Sequence, residues 1–249
     1  MEMLGTKWEA GRGHTIADLE AFREKLTAAG AKTEWVSMSH EGELAAVLVW
    51  KGGVEGLLGL GEMESLFKEQ AALNKDTKAL MRGRVVNKKA RHNLCFAEKG
   101  HAADYEAGRG TVVAYDDVPM TKRLVEGMEA FFGRAKGSLI AEGNYYYDLK
   151  KCGIGFHGDT ERRIVYAARL GASMPLHFQW FHRCEPVGER IVVPLDGGDV
   201  YVMSEKAVGA DWRCSSKVTL RHATGSSAYT TIKAVETPKA AGGAGAGRA

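Results

Sequence analysis

His157 and Asp159 stand two residues apart in the run Gly155-Phe156-His157-Gly158-Asp159-Thr160-Glu161. At the end of a strand, such a pair can bring an imidazole and a carboxylate to one metal ion. With a distant histidine they make a 2-His-1-carboxylate set, which leaves positions open for a chelating cosubstrate and for dioxygen. An HxD pair is weak by itself. Its weight here comes from its place at the entry to a strand-rich segment. The chain has eight histidines, and His92, His177 and His182 read as surface or satisfied core groups. Other chemistries find less support. Cys95, Cys152, Cys184 and Cys214 form no CxxC pair, which argues against a structural zinc site and a disulfide framework. Cys152 has no base beside it, and no GxSxG nucleophile elbow occurs. Gly56–Gly61 (GLLGLG) invites a nucleotide-loop reading, but the order is GxxGxG with no Lys-Ser/Thr after it. A turn and helix packing explain it.

The elements that must position these residues follow from patterning. The chain has 249 residues and an ordinary globular composition, 45% hydrophobic and 26% charged. The net charge of +3 excludes a histone-like polycation but allows a local basic patch. No apolar run approaches the roughly 18–20 residues of a membrane helix. The first residues carry no signal-peptide pattern. A monomer with reduced thiols, in the cytoplasm or nucleus, is the expectation. Residues 1–14 read as a flexible leader. Thr15 and Asp18 predict a capped helix over about 16–29, followed by strands at Thr33–Met38 and Leu44–Trp50. Residues 54–73 read as partly helical and 81–91 as a solvated charged loop. Strands follow near 92–96 and Thr111–Tyr115. Asp117 and Pro119 predict a helix near 119–132 with Asp117 as its cap. From 138 onward about eight short strands fill roughly a hundred residues, 228–233 the last, which predicts a sandwich or jelly roll. The tail from 237 to 249 has no core-forming residue and reads as disordered.

The segment 139–225 resembles the catalytic core of the AlkB-type Fe(II)/2-oxoglutarate-dependent dioxygenases. Asn144-Tyr145-Tyr146 is similar to the family's N-x-Y strand, and His157–Glu161 to its H-x-D-x-E. Ile164–Gly171 (IVYAARLG), Phe178-Gln179-Trp180 and Gly198–Met203 (GDVYVM) resemble the strands that follow, in the same order. The resemblance implies an α+β protein: a double-stranded β-helix (jelly-roll) barrel over 136–236, with an N-terminal α/β portion (15–135) packed on it. It implies bound Fe(II), 2-oxoglutarate as cosubstrate, and O2. Substrates would be DNA or RNA carrying alkylated bases, oxidised or demethylated. The same chemistry on a protein side chain or small molecule is the alternative, and a metal-free barrel serving as a binding module is a third.

Site residues follow from the resemblance with two departures. The family's second metal histidine comes shortly after the GD strand, yet 204–214 (SEKAVGADWRC) has none. His222 on the next strand is the expected third ligand beside His157 and Asp159. In another register Arg221 would anchor the cosubstrate, and Asp211, Cys214 or nothing would complete the metal set. The far carboxylate of 2-oxoglutarate needs a buried cation, ideally a bidentate guanidinium. Arg169, in an otherwise apolar run, is the first candidate, with Lys233 and Arg221 as alternatives. An internal salt bridge to Glu161, Glu185 or Asp199 would explain Arg169 otherwise. Asn144 and Tyr146 would bind the cosubstrate. Arg82, Arg84, Lys88, Lys89 and Arg91 lie where the family has its recognition loops, and would contact phosphates.

Overall fold

The protein is seen in a computed structural model that describes residues 13–232. In chain order the elements are α1 (Ile16–Ala28), β1 (Thr33–His40), β2 (Glu43–Trp50), α2 (Gly53–Leu58), α3 (Glu62–Ala72), β3 (Lys78–Met81), β4 (Arg84–Asn87), β5 (His92–Ala97), β6 (Val112–Ala114), α4 (Pro119–Phe131), β7 (Ala141–Tyr145), β8 (Gly153–His157), β9 (Tyr166–Ala168), β10 (Leu176–His182), β11 (Glu185–Val193), β12 (Val200–Met203), α5 (Glu205–Val208), β13 (Thr219–Gly225) and α6 (Ser227–Thr230). None of these helices is long and apolar enough to cross a membrane. Thr15 and Asp18 form the expected capping box at α1: Asp18 N–H donates to Thr15 Oγ1 at 3.1 Å and Thr15 N–H to Asp18 Oδ2 at 2.7 Å.

Two four-stranded antiparallel sheets form the body, ordered β1-β2-β12-β9 and β11-β10-β13-β8. The run LAAVLVW explains how they stack. Alternation sends Ala45, Val47 and Val49 of β2 toward the second sheet, where they meet Leu176, Phe178, Trp180 and Leu220. It sends Ala46, Leu48 and Trp50 the other way, against Leu19, Val54, Leu124 and Met128 of the helices. A strand covered on both faces must be apolar throughout. Each fully buried Leu or Val contributes about 1.5–3 kcal/mol. A smaller sheet, β6-β5-β7, packs Leu94 and Phe96 on Tyr115 and Val118. The fold is therefore α+β with mostly antiparallel sheets. Among the described residues no strand of one four-stranded sheet pairs with a strand of the other, so the body is not a closed barrel.

Several expectations are corrected. β12 pairs with β2 from Val200↔Trp50 to Met203↔Val47, so the sheet bearing the C-terminal strands reaches back across residue 136. Residues 227–230 are a short helix, not the start of a strand. The charged segment 78–87 is a hairpin rather than a loop. Arg82 and Gly83, both at positive φ, form its two-residue turn. Val118, not Asp117, is the N-cap of α4, with no side-chain cap bond. Glycines at positive φ (Gly59 and Gly61) divide 54–73 into two helices. As expected, GLLGLG is a packing and turn element, for Gly56 leaves no room for a Cβ against Trp50. Gly13 and His14, expected in a loose leader, are buried. Residues 1–12, Lys233 and the tail 237–249 lie outside the described residues.

Candidate metal centre

β8 and β13 are antiparallel neighbours, and their register sets His157 directly opposite His222. Their ring centroids lie 4.5 Å apart. The His157 Nδ1–H donates to the carbonyls of Gly155 at 2.8 Å and His222 at 3.0 Å. Carbonyls only accept, so the tautomer is set and the Nε2 lone pair is left for a ligand. Beyond β8 the chain turns through Gly158. A Cβ there would come within 2.0 Å of the Gly209 carbonyl oxygen, so only glycine fits. Asp159 N–H then donates to the Val208 carbonyl at 3.0 Å, and Asp159 Oδ1 lies 3.7 Å from His157 Nε2. Donor atoms of His157, Asp159 and His222 all lie within 4.8 Å of one another.

These residues suit a divalent metal. Two donors at right angles on an ion with bonds of about 2.1 Å stand about 3 Å apart, so modest contraction closes the set. His222 is 6% exposed. Burial holds its pKa down at about 4; the neighbouring His157 pushes the same way, and Asp159 and a backbone hydrogen bond to Ala207 pull back. The ring is therefore neutral at physiological pH, the form that binds metal.

Arg169 follows β9, and its backbone prolongs the ladder to β12. Arg169 N–H donates to Asp199 O and Gly198 N–H to Arg169 O, both at 2.8 Å. By alternation Arg169 shares the face of Ala167 and of its partner Tyr201, which packs on the core between the sheets. Its Nε is buried without a hydrogen-bond partner, and among the described residues it makes no ion pair. Asp199 is taken instead by Lys51 at 2.5 Å. Burial pushes the phenols of Tyr146 and Tyr201 up; Arg91 and then Arg169 pull Tyr146 back, and Arg169 pulls Tyr201 back. Asp159 also acts on Tyr201. A half-buried guanidinium with no ion pair among the described residues thus acts on two phenols, and one of these, Tyr201, also feels Asp159. Tyr201 was missed in the sequence; its signal was its alternation with the buried Val200 and Val202.

The other sequence candidates fall elsewhere. Asn144 is exposed, and its Oδ1 accepts from Arg91 Nε at 2.6 Å. Arg221 is on the face of β13 opposite His222, 4.0 Å over the Phe181 ring. Asp211 pairs with Lys206 at 3.1 Å and Cys214 contacts Ser216, so neither joins the cluster. Of the basic run, Arg82, Arg84 and Lys89 are exposed. Lys88 is half-buried and donates to Asn93, and burial lowers its pKa. Arg162, also unremarked in the sequence, pairs with Glu142.

The site and its two sheets define an α+β protein with a two-histidine, one-carboxylate cluster between paired strands. No family model matches the chain. It is 42% identical over 233 residues to the uncharacterized protein R156 of Acanthamoeba polyphaga mimivirus, covering 90% of this chain and 89% of the viral one. The chain belongs to the same family as that viral protein.

Proposed function

We propose that the protein is an Fe(II)/2-oxoglutarate-dependent oxygenase of AlkB type, built on a double-stranded β-helix, that oxidises alkylated bases in nucleic acid. The convergence of His157, Asp159 and His222 carries this reading. These three residues would hold the metal. When bound, iron and 2-oxoglutarate supply, with O2, the oxidation of one C–H bond, while the cosubstrate leaves as succinate and CO2. The guanidinium of Arg169, which makes no ion pair among the described residues, would take the distal carboxylate as a two-pronged fork. Tyr146 and Tyr201, kept as neutral phenols by burial, would donate hydrogen bonds to the same carboxylate. His157 holds its ligand nitrogen in place through two backbone carbonyls. Hydroxylation of an N-methyl group would release formaldehyde and restore the base. Such a base must leave its stack to reach the cluster. The hairpin β3–β4 offers Arg82, Arg84 and Lys89 to the phosphates. A reducing compartment, cytoplasm or nucleus, suits the four free cysteines.

Anaerobic titration of the full chain with Fe(II), then 2-oxoglutarate, tests the reading. A weak visible charge-transfer band is expected in the wild type and not in Asp159→Ala. No band in the wild type would sink it. If the band forms but no salt-sensitive binding to DNA or RNA is seen, the substrate is a protein or small molecule.

A further inference from the structure

The second sheet carries another organised set on its outer face. Alternation turns Phe178, Leu220 and His222 inward, and leaves Phe156, Phe181 and Arg221 outside. There the side chains touch in sequence. Arg190 lies 5.1 Å over the Phe156 ring, and Phe156 is 6.1 Å from Phe181. Arg221 lies 4.0 Å over Phe181 and 5.3 Å from Trp212, which Arg213 covers at 5.0 Å. Three guanidinium groups and three rings thus form one strip.

None of the three arginines makes an ion pair among the described residues. Asp211, the acid next to Trp212, is held by Lys206 at 3.1 Å. Arg221 Nε and Trp212 Nε1 are buried without hydrogen-bond partners. The aromatic contacts leave the charge of the guanidinium groups unneutralised. A guanidinium held over a ring can still offer N–H groups for bidentate bonds to an anion. Phosphate matches those N–H groups. The strip also runs beside the candidate centre. Phe156 precedes His157, and a Cβ on Gly158 would lie 2.9 Å from the Trp212 Cβ.

We propose that this strip is a phosphate-backbone track for single-stranded nucleic acid, separate from the β3–β4 hairpin and leading past the metal-binding turn. It rests on the nucleic-acid reading above for the identity of the polyanion, and not on turnover. Arg190 and Arg213 are exposed and lie outside the metal and cosubstrate residues, so their replacement leaves that machinery alone.

The test measures binding of a labelled single-stranded oligonucleotide of about 16 nucleotides by anisotropy over a salt series. The proteins are the full-length wild type, an Arg190→Gln/Arg213→Gln variant and an Arg82→Gln/Arg84→Gln variant. Each phosphate contact on a single strand contributes about 0.7 to the log–log salt slope, so the strip variant should lose about 1.4. Its affinity at low salt should drop about tenfold or more, with the charge-transfer band unchanged. A slope and affinity equal to wild type would overturn the strip; loss in the hairpin variant alone would then leave the nucleic-acid reading standing. Wild type that binds a poly-glutamate peptide and no oligonucleotide would overturn both, and identify an acidic protein as the partner.

Discussion

His222 differs from a core histidine in what its ring faces, a second imidazole and a carboxylate. Replacing His157, Asp159 or His222 by alanine should abolish Fe(II) binding, read by calorimetric titration under anaerobic conditions. Retained stoichiometric binding in all three would remove the centre. His222 also makes a pH prediction for the metal-free protein. Its folded pKa of about 4 lies below the ordinary 6.5. Between these values the unfolded chain takes up a proton that the folded chain refuses. Stability present above pH 6.5 is therefore lost as pH falls toward 4. His14, lowered mainly by burial, acts in the same direction. The denaturant midpoint should fall across that window, and fall less in His222→Gln. Equal profiles for the two proteins would contradict the assignment.

At the scale of the element, two turns decide the geometry. The turn after β8 holds Asp159 against Val208 only because Gly158 lets the backbone approach Gly209. Gly158→Ala should cost about 1–3 kcal/mol by overpacking, seen as a lower denaturant midpoint, and should weaken metal binding with it. Unchanged stability would show that the turn has slack. The β3–β4 hairpin belongs to no larger sheet, and its turn needs positive φ at Arg82 and Gly83. A branched side chain is strained there. Gly83→Val should unfold the hairpin locally. We expect faster amide exchange over 78–87 with the global melting temperature little changed, because a lone hairpin contributes little to the core. A large drop in that temperature would mean that the hairpin is part of the core.

At the scale of the whole molecule, β2 is the shared wall of both main cores. Leu48→Ala should destabilise by about 2–5 kcal/mol in urea unfolding. A fragment of residues 136–249 should fail to fold, because β12 would lose β2 and expose Val200 and Val202. A cooperative melt and dispersed amide spectrum from that fragment would refute this.

Much of the local structure was legible along the chain. The Thr15–Asp18 box, the doubly apolar β2, the strand before His157 and the closeness of His157 to Asp159 all depend on neighbours in sequence, where propensity and alternation act. Tertiary structure decided the rest. Register between β8 and β13 brought His222 to His157 across 65 positions and put Arg221 on the other face. A one-residue slip would have exchanged them. The hairpin at Arg82-Gly83 looks like a loop in the sequence because charged residues conceal a turn that depends on backbone conformation. Tyr201 and the unpaired state of Arg169 were invisible for a related reason. Which acid the Arg169 guanidinium meets depends on Lys51 taking Asp199, a contact between β2's end and β12's start that the sequence does not order. Patterning determined which faces are apolar; strand pairing determined which side chains share a face, because hydrogen-bonded neighbours come from distant segments of the chain.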